Sequence, residues 1–281
     1  MSVIDLQPYQ SWLERRDTVT ETLAPIPAMA LAATLDLPEA PAQSLPPLWH
    51  WLHFLDRVPS SQLGPDGSPS RRSLLPPIPL PEVMWAGSET EFLRPLRIGE
   101  PAVRVSRLAD MVAKTGARGP MVFLTQEHRV EQAGDVALIE RTRAVVLGAQ
   151  TSKPAAAPPD DPPGERERAW LVDESVLFRF SALTFNSHRI HYDLRYTTEV
   201  GGYPGLVVHG PLQAMLLAET FREWHPQARV TRIAFRAQAP HYCNGKVVVR
   251  GAARSERQYA LWTRPPAGGT AMSCVIDWLP G

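Results

Sequence analysis

Cysteine is scarce in this chain. Cys243 and Cys274 are the only two, and neither sits in a CxxC spacing or beside a cluster of histidines. A disulfide framework is thereby excluded and a zinc site is not expected, so the sequence predicts a metal-free protein of a reducing cytoplasm. Net charge is lacking as well: 29 Lys and Arg balance 29 Asp and Glu. No whole-molecule field draws the chain to nucleic acid or to an anionic membrane, and an anionic ligand must be met locally. Long apolar runs are also missing. The best candidate, GLVVHGPLQAMLLAETF, is broken by His209, Gly210 and Pro211, short of the roughly 20 residues a bilayer span requires. The start, MSVIDLQPYQSWLERRD, carries acidic and polar residues where a signal peptide needs a basic region and an apolar core. Neither secretion nor membrane insertion is expected. What is present is the composition of a folded protein, with 44% hydrophobic and 21% charged residues over a length of 281. That length predicts two domains or one doubled domain.

The segment 150–165, QTSKPAAAPPDDPPGE, is dense in Pro, Ala and Asp and has no large apolar residue. It reads as a linker, so the expected organisation is a first unit over 1–150, a linker over 151–165 and a second unit over 166–281. In the first unit, 24–37 and 47–55 read as helical or tightly packed. A Pro-rich loop follows, and four β-rich runs come after Met84, with a turn signal at Gly134-Asp135. In the second unit, PLQAMLLAETFREW (211–224) predicts a helix that is apolar on nearly every face and therefore buried, with Pro211 in its first turn. Strand-like runs follow, with turns at Asn244-Gly245 and Gly268-Gly269. The runs EFLRPLRIG (91–99) and AFRAQAPHYCNG (234–245) begin alike, each passing from Phe and Arg through Pro to a Gly turn. This is a weak internal repeat; two unrelated α+β units are the alternative.

Two pieces carry chemistry. FSALTFNSHRIHYD (180–193) gathers His188, His191, Asn186 and Asp193. Histidine can act as base and acid near neutral pH, and Asn can orient water or donate to an oxyanion. The same residues could also form an Asx-type helix cap. In GYPGLVVHGPLQAM (202–215), an apolar strand leads through His209-Gly210 directly into the buried helix. Unpaired N–H groups at a helix start carry partial positive charge, so Gly210 could let a thioester carbonyl approach, or Gly210 and Pro211 could simply begin the helix.

Taken together, the pieces resemble the MaoC-like R-specific hydratase and dehydratase family. Its motif runs Asp-x-Asn-Pro-aliphatic-His-x-Asp, with an aliphatic-x-His-Gly helix start about twenty residues later. The motif's histidine falls on His191, its aliphatic position on Ile190, its trailing Asp on Asp193, and the later pair on His209-Gly210. Three positions depart from it: Asn186 stands at the catalytic Asp, His188 at the Asn and Arg189 at the Pro. The variant is similar to the subgroup containing mesaconyl-CoA and itaconyl-CoA hydratases and mitochondrial 3-hydroxyacyl thioester dehydratases. PLWHWLHFL and MWAGSETEFLRPLRIG are similar to that subgroup's non-catalytic repeat.

The resemblance implies an α+β double hot-dog fold, two antiparallel sheets each wrapped around a helix, and a cofactor-free hydratase in which coenzyme A is part of the substrate. It implies that His191 activates water, that Asn186 orients it through its side-chain carbonyl, and that His188 or Asp193 completes the proton chemistry while Gly210 N–H holds the enolate. Tyr203 and His209 are expected at the substrate. Arg189, Arg195 and Arg236 are candidates to clamp the free carboxylate of a mesaconyl or itaconyl thioester. A homodimer is the expected assembly. Trp49, His50, Trp51, His53, Glu127, His128 and His225 receive no role. The competing readings are a longer-chain 3-hydroxyacyl thioester dehydratase, a non-catalytic acyl-thioester-binding module and a thioesterase.

Overall fold

The computed structural model describes residues 4–70, 74–116, 119–148, 162–266 and 268–281. The segment read as a linker lies outside the described residues through 161, and 162–165 run exposed and irregular into the next strand. The first half builds β1 (Arg16–Thr22), α1 (Pro25–Thr34), β2 (Glu82–Phe92), β3 (Pro101–Gly116), β4 (Gly119–Gln132) and β5 (Asp135–Leu147). The second builds β6 (Arg166–Val172), α2 (Glu174–Leu183), α3 (Leu194–Glu199), α4 (Gly210–Trp224), β7 (Ala228–Ala237), β8 (Gly245–Ser255), β9 (Gln258–Arg264) and β10 (Met272–Pro280).

All these strands join one antiparallel sheet in the order β1-β3-β4-β5-β2-β7-β10-β9-β8-β6. From the centre outward the halves follow the same plan: β2, β5, β4, β3, β1 on one side and β7, β10, β9, β8, β6 on the other. The seam is the pairing of Gly87–Glu91 with Arg232–Arg236. The runs that begin alike in sequence are the ends of these two central strands, for Phe92 closes β2 and Phe235 lies near the end of β7. Gly87 (φ 151°) follows a bulge in β2, and a Cβ there would meet the Phe235 carbonyl oxygen at 2.2 Å, so the seam needs a glycine at that point. The β4–β5 hairpin turns on Ala133 (φ 52°) and Gly134 (φ 84°), one residue earlier than the expected Gly134-Asp135. Two left-handed central residues match the twist of the flanking strands.

The expected buried helix is α4. Leu212, Leu216, Leu217 and Phe221 are fully enclosed, and the helix lies against β7 to β10. Its polar groups are satisfied inside: Trp49 Nε1–H donates to Glu219 (2.8 Å), and Trp170 Nε1–H donates to Thr220 Oγ1 (2.8 Å). Each enclosed Leu contributes about 1.5–3 kcal/mol. The first half has no helix of that length among the described residues. The helical expectation for 47–55 reduces to a single 3-10 turn, Trp49–Leu52, because Leu48 (φ 72°) and Phe54 (φ 54°) are left-handed on either side. That turn and Leu45, Leu48 and Phe54 join α4 in one core. A smaller core around Leu108, Val122 and Leu124 is covered by the 3-10 helix Gln7–Glu14. Within the described residues no helix is long and apolar enough to cross a membrane.

Candidate active site

The motif-bearing segment is a chain of caps. After α2, Phe185 turns through a left-handed φ of 52°. Asn186 Oδ1 accepts from the His188 N–H (3.0 Å), an Asx turn that starts the 3-10 turn Arg189–His191. Asp193 then caps α3 by accepting from the Tyr196 N–H (2.9 Å). The apolar run before α4 is pinned on both sides: Val207 N–H donates to Ile190 O (2.9 Å) and Val208 N–H to His241 O (2.8 Å). The residues of the two sequence pieces are thereby set against each other.

His191 sits at the junction, 7% exposed. Its Nδ1 lies 2.7 Å from the Val207 carbonyl oxygen. A carbonyl can only accept, so Nδ1 carries the proton and Nε2 keeps its lone pair, the tautomer a general base needs. Burial pushes the His191 pKa down to about 4, against a smaller upward pull from the Val207 carbonyl, and the His188 charge lowers it further. The ring is neutral at pH 7. Behind it, His209 stacks at 3.7 Å between centroids and 20° between planes, fully enclosed, with Nε2 2.8 Å from Ser181 Oγ. Burial holds His209 well below the usual histidine range, with the neighbouring His191 and His188 adding to the effect. Two neutral stacked rings result, and that of His191 keeps its Nε2 pair unshared.

His209 is the N-cap residue of α4, so Gly210 occupies the helix start next to the histidine pair. A Cβ on Gly210 would meet Trp85 of β2 at 2.7 and 2.9 Å. Trp85 is held by Phe235 (4.9 Å) and by Trp51 edge-on (6.4 Å). Trp51 in turn donates through Nε1 to the buried Glu140 (3.0 Å), which also takes bonds from His50 Nε2 (3.1 Å) and Ser88 Oγ (2.8 Å). Burial pushes the Glu140 carboxyl up, but the hydrogen bonds from His50 and Trp51 and the attraction of the His50 ring hold it down at about 2. The first half therefore walls the helix start. It also closes the other side, because a Cβ on Gly67 would meet Ser187 O at 2.0 Å, Ser187 Oγ donates to Gly67 O (2.6 Å) and the Arg189 N–H donates to Asp66 O (2.8 Å). Asp66 Oδ2 lies 3.7 Å from His188 Nε2.

The remaining expected residues divide differently. Asn186 spends its side-chain oxygen on the His188 N–H, so the water-orienting use expected of that carbonyl competes with the turn itself. Asp193 is committed to the α3 cap and to Arg189 (2.7 Å), which hold its carboxyl below the usual range and away from proton transfer. Arg189 is spent on Asp193, the Pro65 carbonyl and the face of Tyr196 (4.2 Å). Arg195 projects outward and pairs with Glu199 one turn on. Arg236 follows Phe235 in β7, so the pleat sends its exposed side chain to the sheet face opposite Trp85. The expected arginine clamp is not assembled. Tyr203 is half-buried beside Tyr242, and burial together with the Glu82 charge raises its hydroxyl pKa. Ser181, Asp66, Gly67 and Trp85 went unassigned in the sequence; the last three reach the site only through the fold, and no local pattern marks them. Among the described residues no group of three or more His, Cys, Asp or Glu is placed to hold a metal ion.

Against known proteins, a family model for hydroxyacyl-thioester dehydratase type 2 matches residues 48–243. A mesaconyl-C(4)-CoA hydratase from Chloroflexus aurantiacus is 40% identical over 274 residues, covering 96% of this chain and 97% of that protein. Among solved structures, HtdX of Mycobacterium tuberculosis superposes with a TM-score of 0.68 at 18% identity, over 94% of this chain and 100% of that one. A second Mycobacterium tuberculosis protein, described as having a double hot-dog fold, superposes with a TM-score of 0.59 at 13% identity, over 95% of this chain and 96% of that one. The ten-stranded sheet with its doubled order is that fold.

Proposed function

The chain belongs to the hydroxyacyl-thioester dehydratase type 2 family, an enzyme of the hydratase and dehydratase type, and from that premise we propose that it adds water across the double bond of a short enoyl-CoA, with mesaconyl-CoA as the substrate. The observation that carries the reading is the His191 tautomer: Nδ1–H tied to Val207 O, Nε2 unshared, next to the start of α4.

In this reading water sits at Nε2 of His191. The imidazole takes a proton as the oxygen bonds to the β-carbon, and the electron pair moves to the thioester oxygen. The Gly210 N–H, reinforced by the helix dipole, meets that enolate; such donors are worth about 10²–10³ in rate. A proton then reaches the α-carbon. No cofactor enters these steps, and coenzyme A arrives as part of the substrate. Stacking on the enclosed His209 keeps the His191 ring plane fixed, so that the lone pair points one way.

Support for a short acyl group comes from the crowding at the helix start, where the Trp85 indole lies within 2.7 Å of the place a Cβ of Gly210 would take. Support for the dicarboxylate comes from the Chloroflexus relative alone, since Arg189, Arg195 and Arg236 are turned to other uses. Loss of enoyl-thioester absorbance with mesaconyl-, itaconyl- and crotonyl-CoA side by side, with products identified by mass, tests the reading. Mesaconyl-CoA is expected to turn over fastest. Equal turnover of crotonyl-CoA would remove the dicarboxylate preference, and release of free CoA thiol without water addition would mark a thioesterase instead.

A further inference from the structure

Position 186 carries Asn where the family motif has its catalytic acid, yet a carboxylate stands near that segment. Asp66, from the Pro- and Gly-rich loop of the first half, places Oδ2 3.7 Å from His188 Nε2. Its backbone is not there by chance of a surface loop. Asp66 O accepts from the Arg189 N–H (2.8 Å), Gly67 O accepts from Ser187 Oγ (2.6 Å), and Pro65 O accepts from Arg189 (3.1 Å). Asp66 Oδ1 bonds the Ser68 N–H (3.0 Å), which fixes the carboxylate's direction. At Gly67 (φ 82°) any side chain would drive into Ser187 O. The loop and the His188 segment are built as one piece across some 120 positions of sequence.

We infer that Asp66, acting through His188, supplies the acid half of the reaction that position 186 no longer can; the inference rests on the hydratase reading above. His188 faces Asp66 from the loop, His191 edge-on at 5.6 Å and the stacked His209 beyond it, with Arg189 beside it already paired to Asp193. Among the described residues Asp66 forms its ion pair with His188, and a carboxylate at that distance favours the imidazolium. The proton count closes. Water gives one proton to His191 Nε2 as its oxygen bonds to the β-carbon; the enolate pair then takes a proton from the His188 imidazolium, forming the α-carbon C–H bond. The proton on buried His191 returns to His188 through solvent, to which the His188 side chain is 32% exposed. The net change is addition of one water. Asp66 is thus a positioning residue and His188 the group that meets substrate.

An imidazolium acid works below its pKa and fails as pH rises through it. Removing the carboxylate lowers that pKa, so Asp66→Asn is expected to lower kcat about ten-fold or more, to move the alkaline fall of kcat about one unit toward lower pH, and to leave KM within about two-fold, since general acid work acts on the chemical step. Asp66→Glu should recover part of both. In a His188→Gln background, adding Asp66→Asn should change nothing further. An NMR titration of the His188 ring in the intact protein should show the same downward shift. A profile and kcat unchanged in a folded Asp66→Asn, or a change confined to melting temperature, would overturn the role. Additive losses in the double variant would also overturn it. If the wild type hydrates no enoyl-CoA, the hydratase reading itself fails and the acid role with it, whereas an active wild type with an indifferent Asp66→Asn contradicts this inference alone.

Discussion

His191 is useful because of what surrounds it. Three features combine on one ring: a backbone carbonyl that fixes the tautomer, a stacked neutral neighbour, and burial that keeps it unprotonated. A base with a pKa of about 4 is fully in its working form from pH 7 down to pH 5.5, so the acid side of kcat/KM is expected to stay flat over that range. An acid limb near pH 6.5 would mean the ring is not buried as described. His191→Ala should cost about 10²–10⁴ in kcat with the fold retained by circular dichroism. Ser181→Ala tests the support beneath it. It strips the partner from enclosed His209 Nε2, and urea unfolding should show a loss of about 1–3 kcal/mol. At this scale the sequence was informative where the residues are local, since both histidines of the stack lie in the runs 180–193 and 202–215. It was misleading where a side chain has two uses. Asp193 and Arg189 carry the charges a catalyst needs, but an N-cap and an i,i+4 pair consume them.

Among the elements, the decisive contact is between the start of α4 and the bulged end of β2. Trp85 leaves no room for a side chain at position 210, so Gly210→Ala should lower kcat by about 10²-fold or more through displacement of the helix start. Adding Trp85→Leu, which removes the two indole carbons in the way, should recover part of that loss; no recovery would show that the clash is not the cause. The buried helix was readable from its apolar faces, and the four strands after it from their alternation and Gly turns. The edge strands β1 and β6 were not: RDTVTET has Val19 as its one apolar residue and buries none, and RERAWLV buries only Trp170 and Val172 at its end, too short an alternation to mark a strand. Nor was the first half's part in the site. Asp66, Gly67 and Trp85 are brought in by contacts that cross more than a hundred positions, for which hydrophobic period and turn signals carry no information.

The whole molecule stores several histidines in neutral form. Burial lowers the pKa of His53, His128, His191, His209 and His241 in the folded state. In the unfolded chain they titrate near the ordinary value of 6.5. Below that value the unfolded state binds more protons than the folded one, so stability falls as pH drops through about 6.5 and goes on falling toward 4. Glu140 acts in the same direction at lower pH: its depressed carboxyl contributes stability that is fully present above the ordinary value of 4.5 and is lost as pH falls from there toward about 2. Melting temperature should therefore decline clearly from pH 7.5 to pH 5, and a flat profile would contradict the neutral burial of these rings. Because one core runs through both groups of five strands, the loss should appear as a single transition. The measurement that bears most directly on the central claim is the rate of mesaconyl-CoA absorbance loss for the wild type and His191→Ala, each checked for fold. The wild type is expected to add water, with the product mass increased by one water, and the variant to lose about 10²-fold or more in rate. Equal rates for the two proteins would contradict that claim.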